Sequence, residues 1–176
     1  MQMGTLPKLD RIDFKILAHL QQSGRCSNVD LADLVGLSPS PCLGRVKRLE
    51  EHGFIESYGA QLGLVKFGPV VIVFTEVMLK EHRKHDFVRF ETKARDIPEI
   101  MDCYNVAGGY DYLMRIVARS VSHYHEVMES ILKMDLGVER YFSYFVLRTP
   151  FSKHAYPLAE LFGRDYPSDR DGAEDA

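Results

Sequence analysis

The stretch that decides the fold is Asn28-Val-Asp-Leu-Ala-Asp-Leu-Val-Gly36-Leu-Ser38-Pro39-Ser-Pro-Cys-Leu-Gly-Arg45-Val-Lys-Arg48-Leu-Glu-Glu-His-Gly53. Its first part, capped at Asn28 and stopped at Gly36, predicts a short helix whose apolar face is Val29, Leu31, Ala32 and Leu34. Ser38 as N-cap with Pro39 at the first helical position starts another helix, and Leu43, Val46 and Leu49 give it an inward stripe up to Gly53. Two short helices three residues apart form a helix-turn-helix, the arrangement whose second helix enters a major groove of DNA. With that stripe turned inward, Ser40, Pro41, Gly44, Arg45 and Arg48 are expected on the exposed side. Ser38 and Ser40 are short enough to let a DNA backbone approach, and the helix start attracts phosphate. Arg45 is the expected base reader, flanked by Arg48. Lys47 lies a residue off that row and is assigned a phosphate contact or plain solvent.

Working outward, Leu9 to Gln22 has helical apolar spacing at Ile12, Ile16, Leu17 and Leu20, with Asp10 as N-cap and Leu9 and Phe14 spaced as a hydrophobic staple. This helix braces the pair. Beyond Gly53 a short extended stretch, 54–60, leads to Gly63 and Gly68-Pro69, read as a hinge. The second half then alternates strand and helix. Strands are predicted at 70–79, 100–106, 110–118 and 138–147, with helices at 83–95 and 121–133. The order βαββαβ is ferredoxin-like, so the fold class is α+β: an N-terminal helix-turn-helix, winged-helix-like domain at 9–62, a linker at 63–69 and a ferredoxin-like regulatory and oligomerisation domain at 70–150. The tail, 151–176, divides. Lys153 to Phe162 holds enough apolar residues to pack back, whereas Tyr166 to Ala176 is acidic and expected to be disordered.

Composition narrows the function. The 176 residues are 45% hydrophobic and 27% charged, enough for one generous core or two small ones. No apolar run reaches the roughly 20 residues of a membrane span, and the first ten residues lack a secretory signal, which places the chain in the cytoplasm, with the nucleoid. The net charge of −3 belongs to the segment after Phe162, which leaves an electrically neutral body. A nucleic-acid function therefore rests on the local cluster Arg45, Lys47 and Arg48. Cys26, Cys42 and Cys103 fit neither a disulfide framework nor a metal motif. The pairs His82/His85 and His123/His125 lack further ligands at a metal spacing, so no metal and no cofactor are expected. No phosphate loop or nucleophile elbow occurs, and enzymatic activity is not expected.

The residues L-D-R-I-D-F-K-I-L at 9–17, G-R-C-S-N-V-D-L-A at 24–32, V-G-L-S-P-S-P-C at 35–42 and R-V-K-R-L-E at 45–50 resemble the Lrp/AsnC, or feast/famine, family of transcription regulators. So do C-Y-N-V-A-G-G-Y-D-Y-L at 103–113 and G-V-E-R-Y-F-S-Y-F-V-L at 137–147. The resemblance implies a homodimer built through the second-domain sheets, often assembled into tetramers or octamers, that binds double-stranded DNA and an amino-acid effector. It also implies an effector site of Gly108, Gly109 and Asp111, with Asn105, Tyr110 and Tyr112 nearby and Tyr144 and Phe145 from the last strand. The bottom-up reading agrees in one respect, since a first strand apolar on both faces calls for a covering partner. The chain departs from the family pattern at Gly44, where a bulkier residue is usual, and at 148–153, where Pro150 ends sheet pairing. Two alternatives stand beside the effector-responsive regulator: an architectural DNA-wrapping protein indifferent to ligand, and a ferredoxin-like metabolic enzyme.

Overall fold

The computed structural model describes residues 7–162, which fall into two units. One comprises the residues up to Gln61 together with those from Phe151 onward; the other runs from Leu62 to Pro150. The expectation for Tyr166 to Ala176 lies outside the described residues.

The first unit is built on α1 (Arg11–Gln22), α2 (Asn28–Val35) and α3 (Pro39–Glu51). A capping box starts α1: the Asp10 carboxylate accepts from the Asp13 N–H at 2.9 Å, and the Asp13 carboxylate accepts from the Asp10 N–H at 3.0 Å. Ser27, not Asn28, caps α2, its hydroxyl accepting from the Asp30 N–H. The Asn28 amide instead donates to the Pro39 carbonyl at 2.8 Å and ties α2 to the start of α3. Gly36 ends α2 with φ +74°, the left-handed turn that a glycine makes without steric cost. The core gathers Ile16, Leu31, Ala32, Val35, Cys42 and Leu49, with Val46 partly buried against it.

Three expected core positions are corrected. Val29, Leu34 and Leu43 are exposed, Leu43 by 44%. On α3 the stripe runs through Cys42 rather than Leu43 while keeping Val46 and Leu49, which turns the buried face by less than the ~100° of one residue. After α3 the described chain holds no strand before residue 71, only a 3-10 turn at Leu64–Lys66. The tail does pack back within its own unit. The Gln21 side chain bonds both the N–H (2.7 Å) and the carbonyl (3.3 Å) of Tyr156, just before α6 (Leu158–Phe162), although Tyr156, Leu161 and Phe162 stay exposed.

In the second unit the elements are β1 (Val71–Leu79), α4 (Lys84–Arg95), β2 (Ile100–Asn105), β3 (Tyr112–Ala118), α5 (Val121–Lys133) and β4 (Val138–Phe145). They form one antiparallel sheet in the order β2-β3-β1-β4. Strand alternation sends Val73, Thr75, Val77 and Leu79 into the helix-covered core with Met114, Ile116, Phe90 and Tyr124. The buried hydroxyls are matched, since Tyr124 bonds Thr75 at 3.0 Å and Ser143 at 2.5 Å. The opposite sheet face carries Phe74, Glu76, Met78, Leu113 and Phe142, and among the described residues the helices of this unit pack on the other side. Sheet pairing ends at Phe145, with one further bond from the Val146 N–H to the Ile72 carbonyl at 2.9 Å, ahead of Pro150.

Candidate nucleic-acid interface and effector site

On α3 the exposed row is Ser40, Gly44, Lys47 and Glu51, with Ser38 and Pro41 exposed at its start. The Ser38 hydroxyl makes no capping bond. Pro39 and Pro41 carry no N–H, so the first turn of α3 offers only the Ser40 amide to a phosphate, fewer donors than a helix start usually presents.

Arg45 and Arg48 lie elsewhere than expected. Arg45 donates from one nitrogen to Asp10 (2.6 Å) and Asp13 (2.9 Å), and Arg48 donates to Asp13 (2.5 Å). The Asp13 side chain is 1% exposed, against 28% for Arg45 and 38% for Arg48. Burial pushes the Asp10 carboxyl up, but the Asp13 N–H and the Arg45 guanidinium outweigh it and hold Asp10 below its ordinary value. The turned buried face of α3 explains the difference: it brings Arg45 to the flank facing α1 and puts Lys47 on the outward row. Of the three cations, Lys47 is the one exposed without an ion-pair partner among the described residues.

In the second unit the β2–β3 connection, 106–111, carries four of the eight expected effector residues, Gly108, Gly109, Tyr110 and Asp111. Asn105 donates from its amide to the Asp111 carbonyl at 3.1 Å, and the Val106 N–H bonds the same oxygen, closing the turn. The Asp111 carboxylate accepts from the Leu79 N–H at 2.7 Å and pairs with His82 Nε2 at 3.0 Å; its side chain is 16% exposed and that of His82 58%. Gly108 and Gly109 are not left-handed, and a Cβ on either would meet nothing within 4 Å. A two-residue hairpin needing positive φ would favour glycine at such positions; here the glycines leave bare backbone facing open space.

Phe145 lies apart from the turn, whereas Tyr112 lines a cavity beside it from within the core. Tyr112 is buried, stacked on Phe90 with ring centroids 4.6 Å apart, and its hydroxyl donates to Glu91 at 2.8 Å; burial and Glu91 together raise its pKa. Phe145 pairs with Val73 at the far end of β1 from Asp111 and meets Tyr124 edge-on. Tyr144 is on the open sheet face, where desolvation and the neighbouring Glu76 raise its pKa. His82 is the residue that sequence reasoning missed, because its partner Asp111 lies 29 positions away. Beside the turn, a cavity of about 360 Å³ between α4 and β2 is lined by Glu91, Arg95, Asn105 and Cys103. Cys103 is exposed, and desolvation, then Glu91, push its thiol up to about 11, which does not suit a nucleophile.

Comparison with known proteins follows this division. Residues 9–56 match a winged helix-turn-helix DNA-binding model, and residues 72–156 match the Lrp/AsnC ligand binding domain. The chain belongs to the Lrp/AsnC family. It is 44% identical over 145 residues to the transcriptional regulatory protein DoeX of Halomonas elongata, covering 81% of this chain and 90% of that one. It is 41% identical over 140 residues to the leucine-responsive regulatory protein of Escherichia coli, covering 79% and 85%. Among solved structures, an AsnC family regulator from Agrobacterium tumefaciens superposes with TM-score 0.81 at 30% identity, covering 87% of this chain and 99% of that one. A Neisseria meningitidis regulator in complex with L-methionine does so with TM-score 0.80 at 33% identity, at the same coverage. This Lrp/AsnC member is a transcriptional regulator with a DNA-binding helix-turn-helix and a ligand-binding domain, and not an enzyme.

Proposed function

We propose that the regulator reads DNA with the outward row of α3, through Ser38, Ser40, Pro41 and Lys47, and that Arg45 and Arg48 contribute by holding the helix in place. The small residues around Gly44 let the helix sit close to the groove floor, and Lys47 supplies the charge that steers it. The effector is an amino acid, held at the β2–β3 turn of 106–111. A free amino acid needs N–H donors for its carboxylate and an acceptor for its ammonium. The exposed backbone at Gly108 and Gly109 offers the first, with Asn105, Tyr110 and Tyr144 around it, and Asp111 offers the second. The complex of the Neisseria meningitidis relative with L-methionine supports that class of ligand.

The observation that carries this reading is the Asp111 carboxylate, fixed by the Leu79 N–H and paired with an exposed histidine. The open sheet face bearing Phe74 and Phe142 is a self-association surface for a homodimer, which the ligand-bound state assembles further. A thermal-shift panel of the twenty amino acids on wild type and Asp111→Asn tests the effector. At 100 times its dissociation constant a ligand stabilises by about 2.7 kcal/mol, a readable shift. One or a few amino acids are expected to stabilise wild type and to lose that effect in Asp111→Asn. A blank panel, or an undiminished shift in the variant, overturns the site.

A further inference from the structure

We propose that Asp13, with Asp10, acts as a brake on DNA binding: it withdraws Arg45 and Arg48 from the DNA-facing row of α3. This rests on the reading of α3 as the DNA-contacting helix. The geometry is one-sided. Asp13 is buried and spends one oxygen on Arg45 and the other on Arg48 and the Asp10 N–H, while Asp10 takes the Arg45 nitrogen as well. Two cations are thereby matched by two carboxylates on the flank of the helix, and a basic run that looks like a charge of +3 presents Lys47 alone.

Each phosphate neutralised by a side chain steepens the dependence of log affinity on log salt by about 0.9. Cations already neutralised within the protein release no further counterions on binding. The consequence is weak non-specific attraction, carried by Lys47, so that discrimination among sequences falls to the small residues beside it. Arg48 is the more releasable of the two, being more exposed and held by Asp13 without Asp10.

The test is the salt dependence of binding to random duplex DNA and to operator DNA captured from the genome, measured on the full chain. Arg45→Ala and Arg48→Ala are each expected to leave the slope unchanged, while Lys47→Ala flattens it by about 0.9. Asp13→Asn, in which Arg48 loses its carboxylate, is expected to steepen the slope by about 0.9 and to raise random-DNA affinity more than operator affinity. Circular dichroism at the assay temperature identifies any variant that is not folded, and the two arginine variants carry the test if Asp13→Asn is one. A flattened slope for folded Arg45→Ala or Arg48→Ala shows that the arginines already sit on phosphate and overturns the brake, leaving α3 as the reading helix. Loss of slope in none of the variants, Lys47→Ala included, overturns the α3 reading itself.

Discussion

Asp13 and Asp111 hold the same chemical group in the two units of the chain, and each has both oxygens occupied, yet they behave as opposites. Asp13 is closed: it lies in the interior, and its partners are two guanidinium groups that keep their charge at any pH a protein meets, plus one backbone N–H. Asp111 has one fixed partner, the Leu79 N–H, and one exposed partner, the His82 imidazole, whose charge is conditional and whose side chain can swing into water. A carboxylate saturated by permanent charges on buried ground is architecture. One whose second partner can leave is a place for another cation to arrive.

The sharpest way to break this contrast is to remove each acid in turn. Asp13→Ala strands the partly buried Arg48, leaves Arg45 to Asp10 alone and undoes the α1 capping box. Breaking a fully buried pair costs about 3–5 kcal/mol, but the guanidinium ends here are partly in water, so about 2–3 kcal/mol is expected. Chemical denaturation of the full chain, followed by helical signal, measures it. A loss well under 1 kcal/mol means the network is a surface one and the contrast fails. Asp111→Ala leaves the Leu79 N–H without its acceptor, which costs about 1–2 kcal/mol, and Asp111→Asn, which keeps an acceptor oxygen, is expected to recover most of that. Equal losses in the two variants would mean that the charge, and not the hydrogen bond, is what the fold needs from Asp111.

Much of this architecture is legible in the sequence, and what escapes it has a common cause. The caps at Asp10, Pro39 and Gly36 are local signals, and each falls where the structure has it. The βαββαβ order follows from alternation and helical spacing, and the strands differ from expectation only at their ends. The pairing of Arg45 and Arg48 does not follow, because their acids lie 32 to 35 positions earlier. The phase of α3 was ambiguous for a related reason. Cys42 and Leu43 are adjacent apolar residues, and only packing against α1 and α2 selects which turns inward; that choice sends Arg45 to the flank and Lys47 outward. Gly108 and Gly109 are ambiguous in another way, since a Gly-Gly pair between strands fits either a left-handed turn or a backbone left bare.

Lowering pH probes the closed acid site more gently. The Asp10 carboxyl is held below its ordinary value by the Asp13 N–H and Arg45, against the opposing effect of burial. A depressed folded-state pKa contributes stability that is full above the unfolded value near 3.8 and is lost as pH falls through the lower folded value. Melting temperature is therefore expected to fall below about pH 4, and the part due to this pair disappears in Arg45→Ala. An acid transition identical in Arg45→Ala and wild type would mean that Arg45 does not set the Asp10 affinity for its proton.

The smallest effect is expected at Gly109, and it separates the two readings of the turn. If the glycine were there for a left-handed conformation, Gly109→Ala would strain the backbone by about 1–2 kcal/mol. Its φ is not left-handed and a Cβ there meets open space, so the substitution restricts the unfolded chain more than it disturbs the folded one. The stability change is then neutral to about 0.4–1 kcal/mol favourable. The methyl group instead occupies the space through which a ligand would approach the backbone, so the amino-acid thermal shift is expected to shrink while the unliganded protein melts at or slightly above wild type. A destabilised Gly109→Ala returns the glycine to the service of the turn. A stable variant with an intact amino-acid shift moves the effector away from this backbone and leaves Asp111 as a second closed carboxylate, like Asp13.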